Sequence, residues 1–209
     1  IRDLAKGLIN NPVEISVTPR NAAAKSVEQW MHPVDKKKKH LLLTKLIKDE
    51  KWQQVLVFTK TKHGANKLTK HLEEQGINAA AIHGNKSQSA RTKALADFKS
   101  GDVRVLVATD IAARGIDISQ LSPVINSVLP ESPESYLHRS GRTGRAGRTG
   151  TAISLIGPRE IGVFYYLKRI YNVALQEQAV PTQAEIDLRR LERTTQLLVD
   201  EILEGTRGL

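Results

Sequence analysis

Residues 54–59, which read Gln-Val-Leu-Val-Phe-Thr, decide the fold of this chain. A short apolar run rich in β-branched and aromatic residues predicts a strand that is buried on both faces of a sheet. Residues 103–108 read Val-Arg-Val-Leu-Val-Ala and predict a second such strand. Further strand-like segments lie at residues 27–34, 77–82, 124–126 and 151–156.

Helical patterns separate these strands. One helical face is marked by Ala65, Leu68, Thr69 and Leu72 and ends at Gly76. A second is marked by Ala90, Ala94, Leu95 and Phe98 and stops at Gly101. Ser132 and Pro133 are a typical N-cap and first-turn pair for a helix that follows residue 126. Strands that alternate with helices predict an α/β fold, a parallel sheet with helices on both faces. Ligands of such sheets bind beyond the carboxyl ends of the strands.

The charge of the chain is uneven along its length. The 209 residues carry a net charge of +10, but residues 171–209 hold seven acidic and four basic side chains. This end therefore carries −3, and residues 1–170 carry +13. Such a basic body suggests a polyanionic partner, although a merely basic soluble protein is the alternative. The chain has no cysteine, which excludes disulfides and thiolate zinc sites and permits a cytoplasmic location.

An arginine tract at residues 138–147 reads His-Arg-Ser-Gly-Arg-Thr-Gly-Arg-Ala-Gly. Arginine stays charged and binds phosphate with two parallel hydrogen bonds, and glycine lets a backbone approach a ligand closely. The tract is therefore typical of a polyphosphate or nucleic-acid site. A flexible basic segment that coats RNA loosely is the alternative.

Four segments together resemble a known family. Residues 55–62, 88–91, 108–117 and 138–145 look like motifs IV, IVa, V and VI of DEAD-box RNA helicases, in the same order and spacing. The amino-acid sequence around residues 80–117 is similar to that of the bacterial RhlE-type branch. The resemblance implies a second RecA-like domain over residues 26–170. It also implies that residues 1–25 are the end of a first RecA-like domain plus a linker. Residues 171–209, outside the resemblance, are predicted to form a helical extension.

The resemblance also implies roles for individual residues. Arg142 and Arg145 would be arginine fingers that act on ATP, with binding of RNA phosphates as the alternative. Gly115 and Asp117 would contact the nucleotide, Asp117 through the ribose unless it is only a turn or cap residue. The positions expected near the RNA backbone are Thr61, Gly64, Gly84, Arg91 and Thr109. The positions expected to couple the two domains are His138, Arg139 and Arg114. Ser140 departs from the family, which usually has an aliphatic residue there.

The sequence contains neither a phosphate-binding loop nor an Asp-Glu-Ala-Asp segment. In the family these lie on the first domain, which holds Mg²⁺ and the ATP phosphates. We therefore expect no metal site in this chain and no activity from it alone. Its expected partners are the RNA backbone and the first RecA-like domain. The alternative function is a freestanding basic module that binds RNA or a protein without catalysis, and a DNA-unwinding relative is a third possibility.

The C-terminal segment carries its own pattern. Apolar residues recur at three- and four-residue steps within residues 182–204, in the order Ala184, Leu188, Leu191, Thr195, Leu198 and Ile202. This spacing predicts a helix that either packs on its own domain or forms a homodimer. We predict a monomer. No apolar run reaches the roughly 20 residues that a membrane span needs, so no membrane association is expected.

Overall fold

The structure of the chain is a computed structural model, and it describes residues 26–50, 52–113, 121, 123–144, 149–171 and 175–180. Short helices and strands alternate along these ranges. The strands are β1 (Val27–Pro33), β2 (Val55–Thr59), β3 (Ala79–Ile82), β4 (Val105–Thr109), β5 (Val124–Asn126), β6 (Gly150–Ile156) and β7 (Leu175–Glu177). The helices are α1 (Lys39–Asp49), α2 (Lys62–Glu74), α3 (Gln88–Ser100), α4 (Asp110–Ala113), α5 (Pro133–Ser140) and α6 (Ile161–Tyr171).

The described strands form one sheet in the order β3-β4-β2-β5-β6-β1-β7, and every neighbouring pair is parallel. The predicted parallel sheet is confirmed. The seventh strand was not predicted, and it extends the sheet to residue 177, past the boundary placed at residue 170. Its three residues pair with the edge of β1, a long-range contact that leaves no pattern in the local sequence.

Helices cover both faces of the sheet, as the sequence predicts. On one face α1 and α2 bury Leu43, Ile47 and Leu72 against alternate residues of β2, β4, β5 and β6. On the other face α3 places Phe98 against the remaining residues of β2 and β4. On this same face α5 and α6 pack at the β1 and β6 end, where Tyr136 and Phe164 are buried. Central strands buried on both sides explain the nearly continuous apolar runs of the sequence.

Local sequence signals fix most helix boundaries. The side chains of Thr61, Ser87 and Ser132 accept hydrogen bonds from backbone N–H groups and begin α2, α3 and α5. Gly101 has φ +92°, a left-handed conformation that ends α3. Strand β3 begins two residues later than predicted because the N–H of Ile77 donates to the carbonyl of Leu72 and closes α2.

The lysines before α1 differ in their surroundings. Asp35 caps a short 3₁₀ turn at Lys36–Lys38, where all three lysines are exposed. Lys39, the next residue, is buried and pairs with Glu160. The partner lies 121 residues away in the sequence, so local pattern did not indicate it. None of the helices in the described part of the chain has the length and apolar character needed to cross a membrane.

Candidate active site at the carboxyl edge of the sheet

The parallel sheet brings the ends of its strands to one edge. Thr59 ends β2, Thr109 ends β4 and Asn126 ends β5, and these three strands are neighbours. Helix α5 follows β5 and carries the first part of the arginine tract. The edge therefore collects the segments that the sequence singled out, apart from those outside the described residues, which include Arg114, Gly115, Asp117 and Arg145.

Arg139 is held inside this domain by a dense set of hydrogen bonds. Its Nε and Nη2 donate to Oδ1 and Oδ2 of Asp110 at 2.6 and 2.7 Å. Its Nη1 donates to Oδ1 of Asn126 at 3.0 Å and to the carbonyl of Val128 at 2.7 Å. The guanidinium also stacks over the ring of Phe58 at 4.9 Å. With 2% of its surface exposed, Arg139 does not reach a ligand from this position.

The hydrogen bonds of Arg139 continue into a buried polar chain. Asn126 donates through Nδ2 to Oγ of Ser154 at 3.3 Å. Tyr136 hydrogen-bonds with Ser154 and donates to Oε1 of Gln29 at 2.6 Å. Burial raises the pKa of Tyr136 to about 12, so its hydroxyl stays protonated and remains a donor. The chain joins α5 to β5, β6 and β1 and fixes the helix that leads into the arginine tract.

This polar chain was not predicted from the sequence. The signal was present in part, since Asn126 and Ser154 interrupt otherwise apolar strands, and buried polar groups need partners. Tyr136 and Gln29 left no such signal because they lie 107 residues apart.

Arg142 lies at the rim of the edge. It is half-buried and lines a cavity of about 20 Å³ together with Asp110, Ala113 and His138. This volume has room for about one water molecule. His138, on the last turn of α5, is exposed. The tract thus places Arg139 in the interior and Arg142, three residues later, at a half-buried rim position.

The backbone that follows Arg142 is tightly constrained. Gly144 has φ +64°, and a Cβ added there would lie 2.5 Å from Cγ2 of Val27. Ser26 donates to the carbonyl of Gly144 at 2.8 Å. Residues 141–144 are therefore anchored to the start of β1, which argues against a loosely flexible segment there.

Ser140 does not disturb the helix. Its hydroxyl is buried and donates to the carbonyl of Tyr136 at 2.9 Å, which satisfies the polar group within α5. The N–H of Gly141 still donates to the carbonyl of Leu137 at 2.7 Å, so the last turn remains closed.

The residues expected near RNA follow the neighbouring strands β2, β3 and β4. Thr61 is exposed, and its Oγ1 accepts from the N–H of Gly64 at 3.0 Å. Gly84 follows β3 with open space around it, and Thr109 is buried at the end of β4. Arg91 lies in the first turn of α3, half-buried, and donates to Oε1 of Gln88 at 3.3 Å.

A buried histidine lies among these positions. His83 is 4% exposed, and its Nε2 is 3.0 Å from Oδ1 of Asn66. Burial lowers its pKa, and the positive charges of Lys86, Lys62 and His63 lower that pKa further. The neutral ring therefore stands beneath a basic surface at the ends of β2 and β3.

An ion pair joins the segments that follow β2 and β5. Lys60 and Glu131 form an exposed ion pair at 2.6 Å beside a cleft of about 290 Å³ that Asp110, Ser132 and Ser135 also line. Each partner favours the charged form of the other, which raises the pKa of Lys60 and lowers that of Glu131. The sequence analysis did not single out this pair.

The fold and the arginine-bearing edge together define a RecA-like helicase domain. Residues 38–147 match the family described as Helicase conserved C-terminal domain. The chain belongs to this family and is the C-terminal domain of a DEAD-box protein.

The relatives and solved structures agree on this assignment. A DEAD-box ATP-dependent RNA helicase CshA of Geobacillus kaustophilus is 37% identical over 209 residues, which are all of this chain and 41% of that protein. A crystal structure of a DEAD box protein from Methanococcus jannaschii is 38% identical with a TM-score of 0.71, over 85% of this chain and 47% of that chain. Dbp5 of S. cerevisiae bound to RNA and ADP BeF3 is 27% identical with a TM-score of 0.77, over 92% of this chain and 51% of that chain.

The chain spans about two fifths of the length of the curated relatives it matches. It corresponds to the C-terminal half of such helicases. The RhlE-type branch is not singled out by these matches and stays a prediction.

Proposed function

We propose that this chain works with a first RecA-like domain to unwind RNA at the expense of ATP. The observation that carries the proposal is the meeting of the arginine tract and the segments after β2, β3 and β4 at one edge of the sheet. The +13 charge of residues 1–170 supports a polyanion at this edge.

In this proposal the domain contributes cations to an ATP site completed by the first domain. Arg142 and Arg145 are the arginine fingers, and Gly115 and Asp117 contact the nucleotide. ATP supplies a transferable γ-phosphoryl group, on which negative charge is stabilised during transfer. The rim position of Arg142 beside Asp110 fits a guanidinium that approaches such a group, whereas the buried Arg139 does not. Mg²⁺ would be held by residues of the first domain.

Arg139, His138 and Arg114 are proposed to couple the domains. Arg139 would act indirectly, because its two hydrogen bonds to Asp110 join the segment after β4 to the helix that precedes Arg142. The ring of His138 is exposed and therefore open to contact with a second domain.

The RNA backbone is proposed to run across the ends of β2, β3 and β4. Hydroxyl groups, backbone amides and Arg91 offer contacts to phosphate and sugar, and such contacts position a strand without reading its sequence. The complex of S. cerevisiae Dbp5 with RNA and ADP BeF3 supports this choice of ligands. The five proposed positions are Thr61, Gly64, Gly84, Arg91 and Thr109. We expect a cytoplasmic protein that is monomeric, with a homodimer through residues 182–204 as the alternative.

The proposal is tested by adding the first RecA-like domain of the parent protein in trans. We expect RNA-stimulated ATP hydrolysis from the pair, and we expect Arg142→Ala to reduce it about 10³-fold or more, because removal of an arginine finger has effects of this size. Lys37→Ala, which removes an exposed lysine of the 3₁₀ turn, is the matched control and should leave the rate unchanged.

Two outcomes would contradict the proposal. If the pair binds RNA but hydrolyses no ATP, the domain is a basic binding module. If Arg142→Ala weakens RNA binding and leaves ATP hydrolysis at saturating RNA intact, Arg142 contacts RNA phosphate instead.

A further inference from the structure

Helix α6 exposes an apolar face that the proposed function does not use. Tyr165 and Tyr166 are 59% and 56% exposed, and Ile170 and Val163 are 46% and 40% exposed. Ile161 at the start of the helix is also exposed, so α6 supplies five of the eight large hydrophobic side chains exposed among the described residues.

The exposed face is distinct from the face that packs on the sheet. Phe164 and Leu167 are buried against Met31 and Ile156. At 3.6 residues per turn, Val163, Tyr166 and Ile170 form a stripe that borders the buried side of the helix, and Tyr165 lies off this stripe. Contiguous exposed apolar patches mark contact sites. We call Val163, Tyr166 and Ile170 the α6 patch.

Residues 182–204 follow the described part of the chain close to the α6 patch. Strand β7 is parallel to β1, so its carboxyl end lies at the same edge of the sheet as the start of α6. The described residues end nearby at Val180, which is 40% exposed. The following residues 182–204 carry the apolar stripe predicted from the sequence. We propose that this segment covers the α6 patch of its own chain.

Charge favours the same pairing. Arg169 is exposed on α6 beside the patch, three residues after Tyr166. At helical spacing Asp187 and Glu192 lie on the flanks of the apolar stripe of residues 182–204, and Arg193 lies on the opposite side. An acidic flank would therefore meet Arg169 while Arg193 faces water. A second copy of the chain is the competing occupant, since it would present the same stripe.

The absence of cysteine from the sequence permits a clean crosslinking experiment on the full chain. Tyr166→Cys is combined in turn with Leu188→Cys, Leu191→Cys or Leu198→Cys, and the variants are treated with a short bismaleimide at low protein concentration. Tyr166→Cys with Arg193→Cys is the matched control, because Arg193 lies off the stripe. The products are separated by denaturing electrophoresis and identified by mass spectrometry.

We expect an intrachain crosslink in at least one stripe pair, with a yield on the order of tenfold above the Arg193→Cys control, since a docked pair has a high effective concentration. Crosslinks that join two chains and grow with protein concentration would overturn the proposal in favour of a second copy. Equal yields from stripe and control pairs would overturn it outright.

A second measurement covers the case in which the cysteines disturb folding. Tyr166→Asp and Leu191→Asp are made singly and together, and the melting temperature of the full chain is recorded. If the segment covers the patch, the melting temperature of the double variant falls by no more than that of the more affected single variant, because both changes break the same contact. Additive losses would contradict the contact.

Discussion

Two arginines of the tract, three residues apart, have opposite surroundings. Arg139 is buried with its guanidinium bound to Asp110, Asn126 and Val128, whereas Arg142 lines the rim of the edge. Both side chains carry the same charge and the same hydrogen-bonding groups, so residue type alone does not separate them. The difference arises because Arg139 lies within α5 and donates to the carboxylate of Asp110, directly after β4, whereas Arg142 lies beyond the end of α5.

The ion pair of Arg139 leads to a stability prediction. Asp110→Ala leaves a buried guanidinium without its carboxylate, and we expect the free energy of unfolding to fall by about 3 kcal/mol. Asp49→Ala removes a partner of the surface pair with Lys45 and should change it by about 0.5 kcal/mol or less. Urea unfolding of the two variants measures both effects. Equal effects would mean that the buried pair contributes no more than an exposed one.

Helix α5 shows how an element is positioned by polar contacts as well as by apolar packing. Ser132 and Pro133 begin the helix, and Tyr136 packs into the apolar cluster with Met31 and Phe164. The hydroxyl of Tyr136 then fixes the helix against β1 through Gln29. Because the side chain of Arg139 leaves the same helix three residues later, this contact also sets where the arginine tract begins.

Removal of that single hydroxyl tests the role of the contact. Tyr136→Phe keeps the ring but leaves Gln29 without a buried partner, and we expect a loss of about 1–3 kcal/mol in the free energy of unfolding. Tyr165→Phe removes a hydroxyl from an exposed ring and should change stability by less than about 0.5 kcal/mol. Denaturant unfolding compares the two, and a neutral Tyr136→Phe variant would show that apolar packing alone places α5.

At the scale of the whole molecule, the parallel sheet separates a buried apolar core from the edge at the carboxyl ends of the strands, where the candidate site lies. The strands and their covering helices bury the apolar residues. The segments after β2, β4 and β5 bring Lys60, Asp110 and Glu131 to one edge. Two histidines are buried in this arrangement, His32 in β1 and His83 after β3. Burial lowers the pKa of both from the ordinary value of 6.5.

The buried histidines predict a loss of stability in mild acid. In the unfolded chain these histidines take up protons near pH 6.5, whereas in the folded protein they remain neutral. Their contribution to the free energy of unfolding is therefore complete above this pH and is lost as the pH falls below it. Urea midpoints at pH 7.5, 6.0 and 5.0 measure this slope. His32→Leu should reduce the slope, and His138→Gln, at an exposed position, should keep it. A flat profile would contradict the prediction.

The sequence by itself determined the alternation of strands and helices, because that information is local. Apolar runs of five or six residues, capping hydroxyls and Gly101 each act within one helical turn or one strand. The parallel topology followed from the alternation, and with it the prediction that the motif segments share one edge. The resemblance to DEAD-box helicases rested on the same local segments and was confirmed by the family match.

Only the tertiary structure decided which polar residues hold the domain together and which face outward. Asp110 and Arg139 lie 29 residues apart, Tyr136 and Gln29 lie 107 apart, and Lys39 and Glu160 lie 121 apart. Strand β7 likewise exists because β1 offers it an open edge. These pairs form because the fold packs together strands and helices that are distant in sequence. The side chain of an arginine or lysine is chemically the same wherever it lies, so the local sequence does not indicate its partner.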